Sequence, residues 1–185
     1  MGWGVRQMPP GTLVDVVNAW GTEPRRARGE AEAPWPDAAD VAVTADPVLA
    51  REPVDRLVAL ADALYPAFVG QDDDRAALVT RLLERSGVRP AVLPAGDGRG
   101  EVRAGWVVPD GGMRLLAAAA VTLWQQVGSG DGDRLGTCAD HACADAFVDT
   151  SPAGHRRFCS VTCQNRSRAA SFRRRHRHPA LPGPP

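Results

Sequence analysis

The chain has 185 residues, enough for one ordinary domain and a small appended module, and its hydrophobic fraction of 44% is that of a folded soluble protein. Aromatics are scarce at 5%, so the core must be built from Leu, Val and Ala, which favours helices over a large sandwich. The net charge of zero conceals a polarity: residues 134–178 hold nine Arg against three Asp, a formal +6, and the rest of the chain carries the compensating −6. All 22 basic residues are arginine, which with the abundant Ala, Gly and Pro looks like the codon bias of a GC-rich genome and is not itself a functional signal.

In chain order, the spacing Leu13, Val16, Val17, Trp20 predicts a short helix over 12–20. Residues 21–40, rich in Arg, Glu, Ala and Pro, read as an exposed loop. A core-facing stripe through Val54, Leu57, Val58, Ala61, Leu64, Tyr65 and Phe68 predicts a helix over 53–69, kinked or stopped before Pro66. The aspartates at 72–74 can cap a further helix that runs to about Ser86. Residues 87–100, with two Pro and four Gly, read as a connector, and 101–108 as an extended segment ended by the turn Pro109-Asp-Gly-Gly112. The clearest helix covers 113–127, followed by a glycine-rich hinge at 128–132. The proline-rich 179–185 reads as a disordered tail. The fold class expected is mainly α: a helical domain over 1–130 with at most a small β element, and a small finger over 134–178.

No run of some eighteen apolar residues is present, so a membrane span is not expected. The opening residues lack a basic region followed by an apolar stretch, which predicts a cytoplasmic protein and cysteines that bind metal in preference to forming disulfides. All four histidines lie beyond residue 133, so no His-dependent catalysis is expected in the helical domain, and its acids form no acid–base spacing. An enzyme is not expected.

The four cysteines follow the pattern Cys138-x4-Cys143-x15-Cys159-x3-Cys163. Two nearby pairs can close a tetrahedral cage on one structural Zn2+ and leave no position for an activated water. The fifteen-residue segment predicts a hairpin, outgoing over 146–150, turning over 151–154 and returning over 157–159. Ser160 is a suitable N-cap, so Cys163 falls in the first turn of the terminal helix, where the positive helix end lowers a thiol pKa. A knuckle, a hairpin and a helix-start ligand describe a treble-clef-like finger. Arg157, Asn165 and Arg166 are candidate outer partners for the sulfurs. His141 or His155 replacing one cysteine is the alternative ligand set.

The stretches Arg134-Leu-Gly-Thr-Cys138, Phe147-Val-Asp-Thr-Ser151 and Arg157-Phe-Cys159-Ser-Val-Thr-Cys163-Gln-Asn-Arg166 resemble the CGNR zinc-finger family. In that family a helical region, the ABATE domain, precedes the finger; Leu13-Val-Asp-Val-Val-Asn18 looks like its opening motif and 118–126 like the helix leading into the finger. This chain departs from the name-giving tetrapeptide, with Gln164 where glycine is usual, which should stiffen the first helical turn. The resemblance implies a bacterial transcription regulator.

The terminal helix carries Arg166, Arg168, Arg173, Arg174, Arg175 and Arg177, which are the candidate nucleic-acid contacts, with DNA expected and RNA the variant. The helical domain would sense a small-molecule effector or form a homodimer. In the competing reading the finger is a zinc-stabilised protein-interaction module whose arginines dock on the acidic half. Phe172 is expected to pack against the helical domain.

Overall fold

The computed structural model describes residues 2–38, 41, 49–95 and 101–177; the expected tail at 179–185, and the ends of the loop at 21–40 and of the connector at 87–100, lie outside them. A short strand β1 (Trp3–Val5) leads into α1 (Pro10–Trp20), whose Leu13, Val16, Val17 and Trp20 are buried on one face. The chain turns at Gly21, where an added Cβ would stand 2.3 Å from the Val17 carbonyl oxygen, so only glycine fits the corner.

The segment expected to be an exposed loop holds a second helix, α2 (Thr22–Ala27). Its stability is tertiary, which is why composition misreads it. Asp62 accepts from both the amide and the hydroxyl of Thr22, each at 2.7 Å, and so caps α2 from another helix. Buried Arg25 donates to the carbonyls of Glu30, Ala33 and Pro34 and lies over the Trp35 ring at 4.5 Å.

Helix α3 (Val54–Leu64) and the short α4 (Pro66–Val69) divide at Tyr65, as Pro66 requires. In α5 (Asp72–Ser86) the three aspartates occupy the first turn, where they complement the helix dipole; the N-cap itself is Gln71. Gly87 ends α5 in the left-handed conformation at φ 64°. The expected connector contains a strand, β2 (Arg89–Pro94), paired antiparallel with β3 (Val102–Val108) in a sheet of order β1-β3-β2. Pro90 and Pro94 hid β2 from a propensity reading; they are tolerated because β2 is an edge.

Helix α6 (Arg114–Gly128) buries Ala117, Ala119 and Ala120 completely, which allows close approach of its neighbours, and α5 and α6 share the most extensive helix contact. The expected hinge is a tight reverse turn: the Ser129 amide donates to Gln125, the Asp131 amide to Gln126, and Gly132 is buried at the start of a 3-10 turn over Gly132–Arg134. Two short strands follow, β4 (Leu135–Thr137) and β5 (Ala146–Val148), paired antiparallel, and then α7 (Val161–Arg177).

Leu135 and Ala146 belong to the same buried cluster as Trp20, Leu57, Phe68 and Leu123, so β4 and β5 complete the main core. Polar contacts reinforce this docking. The buried Arg75 guanidinium joins the carbonyls of Ala67 and Leu135 at 2.8 and 3.0 Å, and the Tyr65 hydroxyl donates to the Ala144 carbonyl at 3.1 Å. Arg28 pairs with Asp145 at 2.6 Å. The architecture is mainly α with a small sheet and a four-cysteine finger. No helix among the described residues is long and apolar enough to cross a membrane.

Candidate metal centre and basic helix

Cys138 follows β4, and its amide donates to the Asp145 carbonyl just before β5, so the knuckle is pinned at both ends by strand pairing. Within it a turn closes from the Cys143 amide to the Asp140 carbonyl at 3.0 Å, and the Asp140 carboxylate accepts from the Ala142 amide at 3.1 Å. The chain returns by a hydrogen bond from the Ala139 amide to the Arg157 carbonyl at 2.8 Å. The expected hairpin differs in its partner. β5 pairs backwards with β4, and 157–159 is not a strand.

What holds the fifteen-residue crossing instead is Asp149. Its buried carboxylate accepts the amides of Ser151 and Arg156 at 2.8 and 2.7 Å. A hydrogen bond from the Ser151 side chain foremost, then the amides of Arg156 and Ser151, hold its carboxyl down at about 2. Arg134 clamps the same loop through the carbonyls of Asp149 and Ser151. The Arg156 side chain donates to the carbonyls of Phe158 and Cys159 and lies 5.0 Å above the Phe147 ring.

Ser160 caps α7 by accepting the Cys163 amide at 3.2 Å, and Cys163 stands three residues into the helix. One ligand atom from each of the four cysteines lies within 4.8 Å of every other. The sulfurs of Cys143 and Cys159 are 3.7 Å apart and those of Cys159 and Cys163 3.6 Å. A tetrahedral cage with Zn–S bonds of about 2.3 Å places its sulfurs about 3.8 Å apart, so the donor set has the size zinc demands. All four cysteines are free, so no disulfide competes for the sulfurs. Burial, with the charges of Asp145 and Cys159, pushes the Cys143 thiol up, and burial with the neighbouring Cys163 and Cys138 pushes Cys159 up to about 12. Crowded thiols of this kind ionise together only around a cation, which is the chemical argument for a metal. The four cysteines form a zinc-binding site. Four sulfur ligands close the tetrahedron, so the ion cross-links the knuckle to α7.

Arg166 faces this cage. Its Nη2 lies 3.4 Å from Cys163 Sγ and its Nε donates to Asp140 at 2.5 Å. Burial pushes the Asp140 carboxyl upward, but the Ala142 amide and the Arg166 guanidinium outweigh it and hold it below the usual carboxylate value. Asp140 and Arg166 thus form a wedge between the knuckle and α7. Sequence spacing gave no sign of Asp140, because a loop acid has no periodicity to mark it. Arg157 and Asn165 are exposed and make no hydrogen bond to a cysteine sulfur among the described residues. The exposed His141 ring turns to Asp140 at 3.2 Å and His155 is also exposed; neither joins the cysteine cluster.

Residues 134–176 match the sequence model of the CGNR zinc finger family. The carboxy-terminal module is a CGNR zinc finger. No curated protein matches the chain. Gln164, at the position where the family name has glycine, is half-buried, and its amide donates to the Ser160 carbonyl at 3.1 Å in the first turn of α7.

Beyond the cage of the CGNR finger, α7 contains no acidic residue, and Arg168, Arg173, Arg174 and Arg175 are all exposed. Arg177 is the last residue of the helix. Among the described residues the one ion pair made by an α7 arginine is that of Arg166 with Asp140; Arg174 reaches Ser171 on its own helix. Among the described residues Arg168, Arg173, Arg174 and Arg175 make no ion pair with the acidic half of the chain. Phe172 corrects a second expectation. It is 55% exposed and stacks on His176, with ring centroids 3.9 Å apart, instead of packing against the helical domain.

Proposed function

We propose that the protein is a DNA-binding transcription regulator without catalytic activity, in which zinc fixes α7 for contact with the nucleic acid. The observation that carries this reading is the exposed, acid-free arginine surface of α7 beside a closed cysteine cage. Polyphosphate backbones are the natural partners of such a surface, and their binding releases counterions. The four-sulfur cage offers no open position for an activated water, in keeping with a structural ion.

The helical domain, ABATE-like in its opening motif, supplies the regulatory input. An open groove of about 850 Å3 runs between α1 and the finger, lined among others by Val14, Asp15, Asn18, Phe147, Arg156 and Ser160. A small-molecule effector seated there would touch both the helical domain and the start of α7, which is the geometry a sensor needs. Self-association of the helical domain is the other form the input can take.

The test is binding of the zinc-loaded full chain to duplex DNA across salt concentrations, with metal content measured on the same sample. A steep fall of log affinity with log salt is expected. Absence of binding at low salt, or a flat salt dependence, would leave the finger as a protein-interaction module.

A further inference from the structure

Among the exposed positions of α7 one set lies in line. At about 100° per residue, Asn165, Arg168, Ala169, Phe172, Arg175 and His176 all fall within about 60° of the direction opposite Cys163. Every one of them is exposed, and Val161, 71% exposed, starts the same line. On the opposite side stand the buried Cys163 and the half-buried Ser167, Ala170 and Ser171, with the exposed Arg174 beyond them. The zinc cage holds one face of the helix and turns this other face outward.

The composition of that face differs from a phosphate-binding surface, which needs cations alone. It alternates polar groups able to form paired hydrogen bonds with exposed apolar groups. Asparagine matches the N6 and N7 edge of adenine, and arginine the O6 and N7 edge of guanine; Val, Ala and Phe suit the methyl of thymine. From Asn165 to His176 the helix rises about 16 Å, the length of about five base-pair steps. The stacked Phe172 and His176 rings form one flat apolar plate within it. Arg173, about 100° from the centre of the ridge, projects to its flank, where a groove wall would stand, whereas Arg174 lies on the Cys163 side and reaches Ser171.

We propose that this outward ridge reads base edges in the major groove of duplex DNA, with Asn165, Arg168 and Phe172 setting sequence preference and Arg173 gripping a phosphate. The inference rests on the nucleic-acid-binding reading above. It adds which face is used and which residues discriminate. Duplex DNA is favoured over duplex RNA because the A-form major groove is too narrow for a helix to read.

The experiment selects bound sequences from a randomised duplex DNA pool with the zinc-loaded full chain, then repeats the selection and salt titration with variants. Asn165→Ala and Phe172→Ala should retain zinc and the salt slope but lose defined positions of the selected sequence. Their preference over random duplex should fall at least tenfold, the equivalent of a good base contact. Arg173→Ala should weaken all duplexes alike and lower the salt slope by about one. The proposal is overturned if the wild-type chain binds duplex DNA with a salt slope but selects no sequence, or if the two ridge variants select the same sequence with undiminished preference. Stronger binding to single strands or RNA than to duplex DNA overturns it as well. If the chain binds no nucleic acid at low salt, the functional reading itself fails, and the ridge assignment with it.

Discussion

The side chain of Asn18 hydrogen-bonds the backbone of Ala146 in both directions: its Nδ2 donates to the Ala146 carbonyl at 3.0 Å, and its Oδ1 accepts the Ala146 amide at 2.7 Å. A helix side chain thereby stands in for a neighbouring strand on the free edge of β5. Asn18 closes the short motif Leu13-Val-Asp-Val-Val-Asn18, so that motif joins the helical domain to the finger.

Asn18→Ala should cost about 2 kcal/mol, because Ala146 is fully buried and both its polar groups lose their partner. Urea denaturation of the zinc-loaded chain measures this. A change below about 0.5 kcal/mol, the size of an ordinary surface substitution, would mean that water replaces the amide at no cost.

Metal removal should expose α7 and the knuckle while β4 and β5 stay docked, since Leu135 and Ala146 lie in the main core. Trypsin acting on chelated protein should therefore cut first at arginines from Arg156 onward. Arg134, tied to Asp131 and to the carbonyls of Asp149 and Ser151, should resist. Mass spectrometry of the resistant fragment decides; a fragment ending near residue 130, as a freely hinged finger would give, contradicts the shared core.

Arg166→Met removes the cation beside Cys163 and leaves Asp140 with the Ala142 amide and the exposed His141 ring. Zinc affinity, read by competition with a chelating dye, should fall about tenfold or more, as expected for a partner one step outside the metal. Asn165→Ala, whose side chain is exposed, should leave zinc affinity unchanged. Equal effects of the two would assign the loss to the helix and not to Arg166.

Asp149 sets an acid dependence of the chelated chain. Its carboxyl is held at about 2 in the folded state against 3.8 ordinarily, so its contribution is complete above about 4 and is lost as pH falls toward 2. Asp149→Asn should be less stable than the wild type at pH 6, and the gap should close between pH 4 and 2. A gap that is constant over this range would show that the carboxylate charge is not what secures the loop.

Most helices are legible because their apolar residues repeat at three and four: Leu13, Val16 and Val17, or Leu57, Ala61 and Leu64, announce a buried face. Thr22–Ala27 carried no such repeat, since its order comes from Asp62 and from carbonyls that Arg25 reaches across the loop. The cysteines were legible because ligand spacing is itself local. The hairpin was misread because the partner of β5 precedes the first cysteine in a three-residue strand, too short to show alternation. Phe172 was misjudged by the rule that large apolar residues pack inside; on a helix held out by a metal cage there is nothing for it to pack on. Asp140 and Asp149 act through backbone amides, and such contacts leave no trace in spacing.

The edge strand β2 has prolines at 90 and 94, alternate positions that share one side of the strand. Pairing with β3 occupies the other side, so two of the three outward positions carry no amide hydrogen. An incoming strand would find acceptors but almost no donors. Chains crowded together, or starved of zinc with α7 loosened, are thus denied at this edge the backbone zipper by which exposed edges seed insoluble aggregates. Any assembly this protein forms through the β2 edge must be specified by side chains, and is therefore open to mutation and selection in a way that backbone pairing is not.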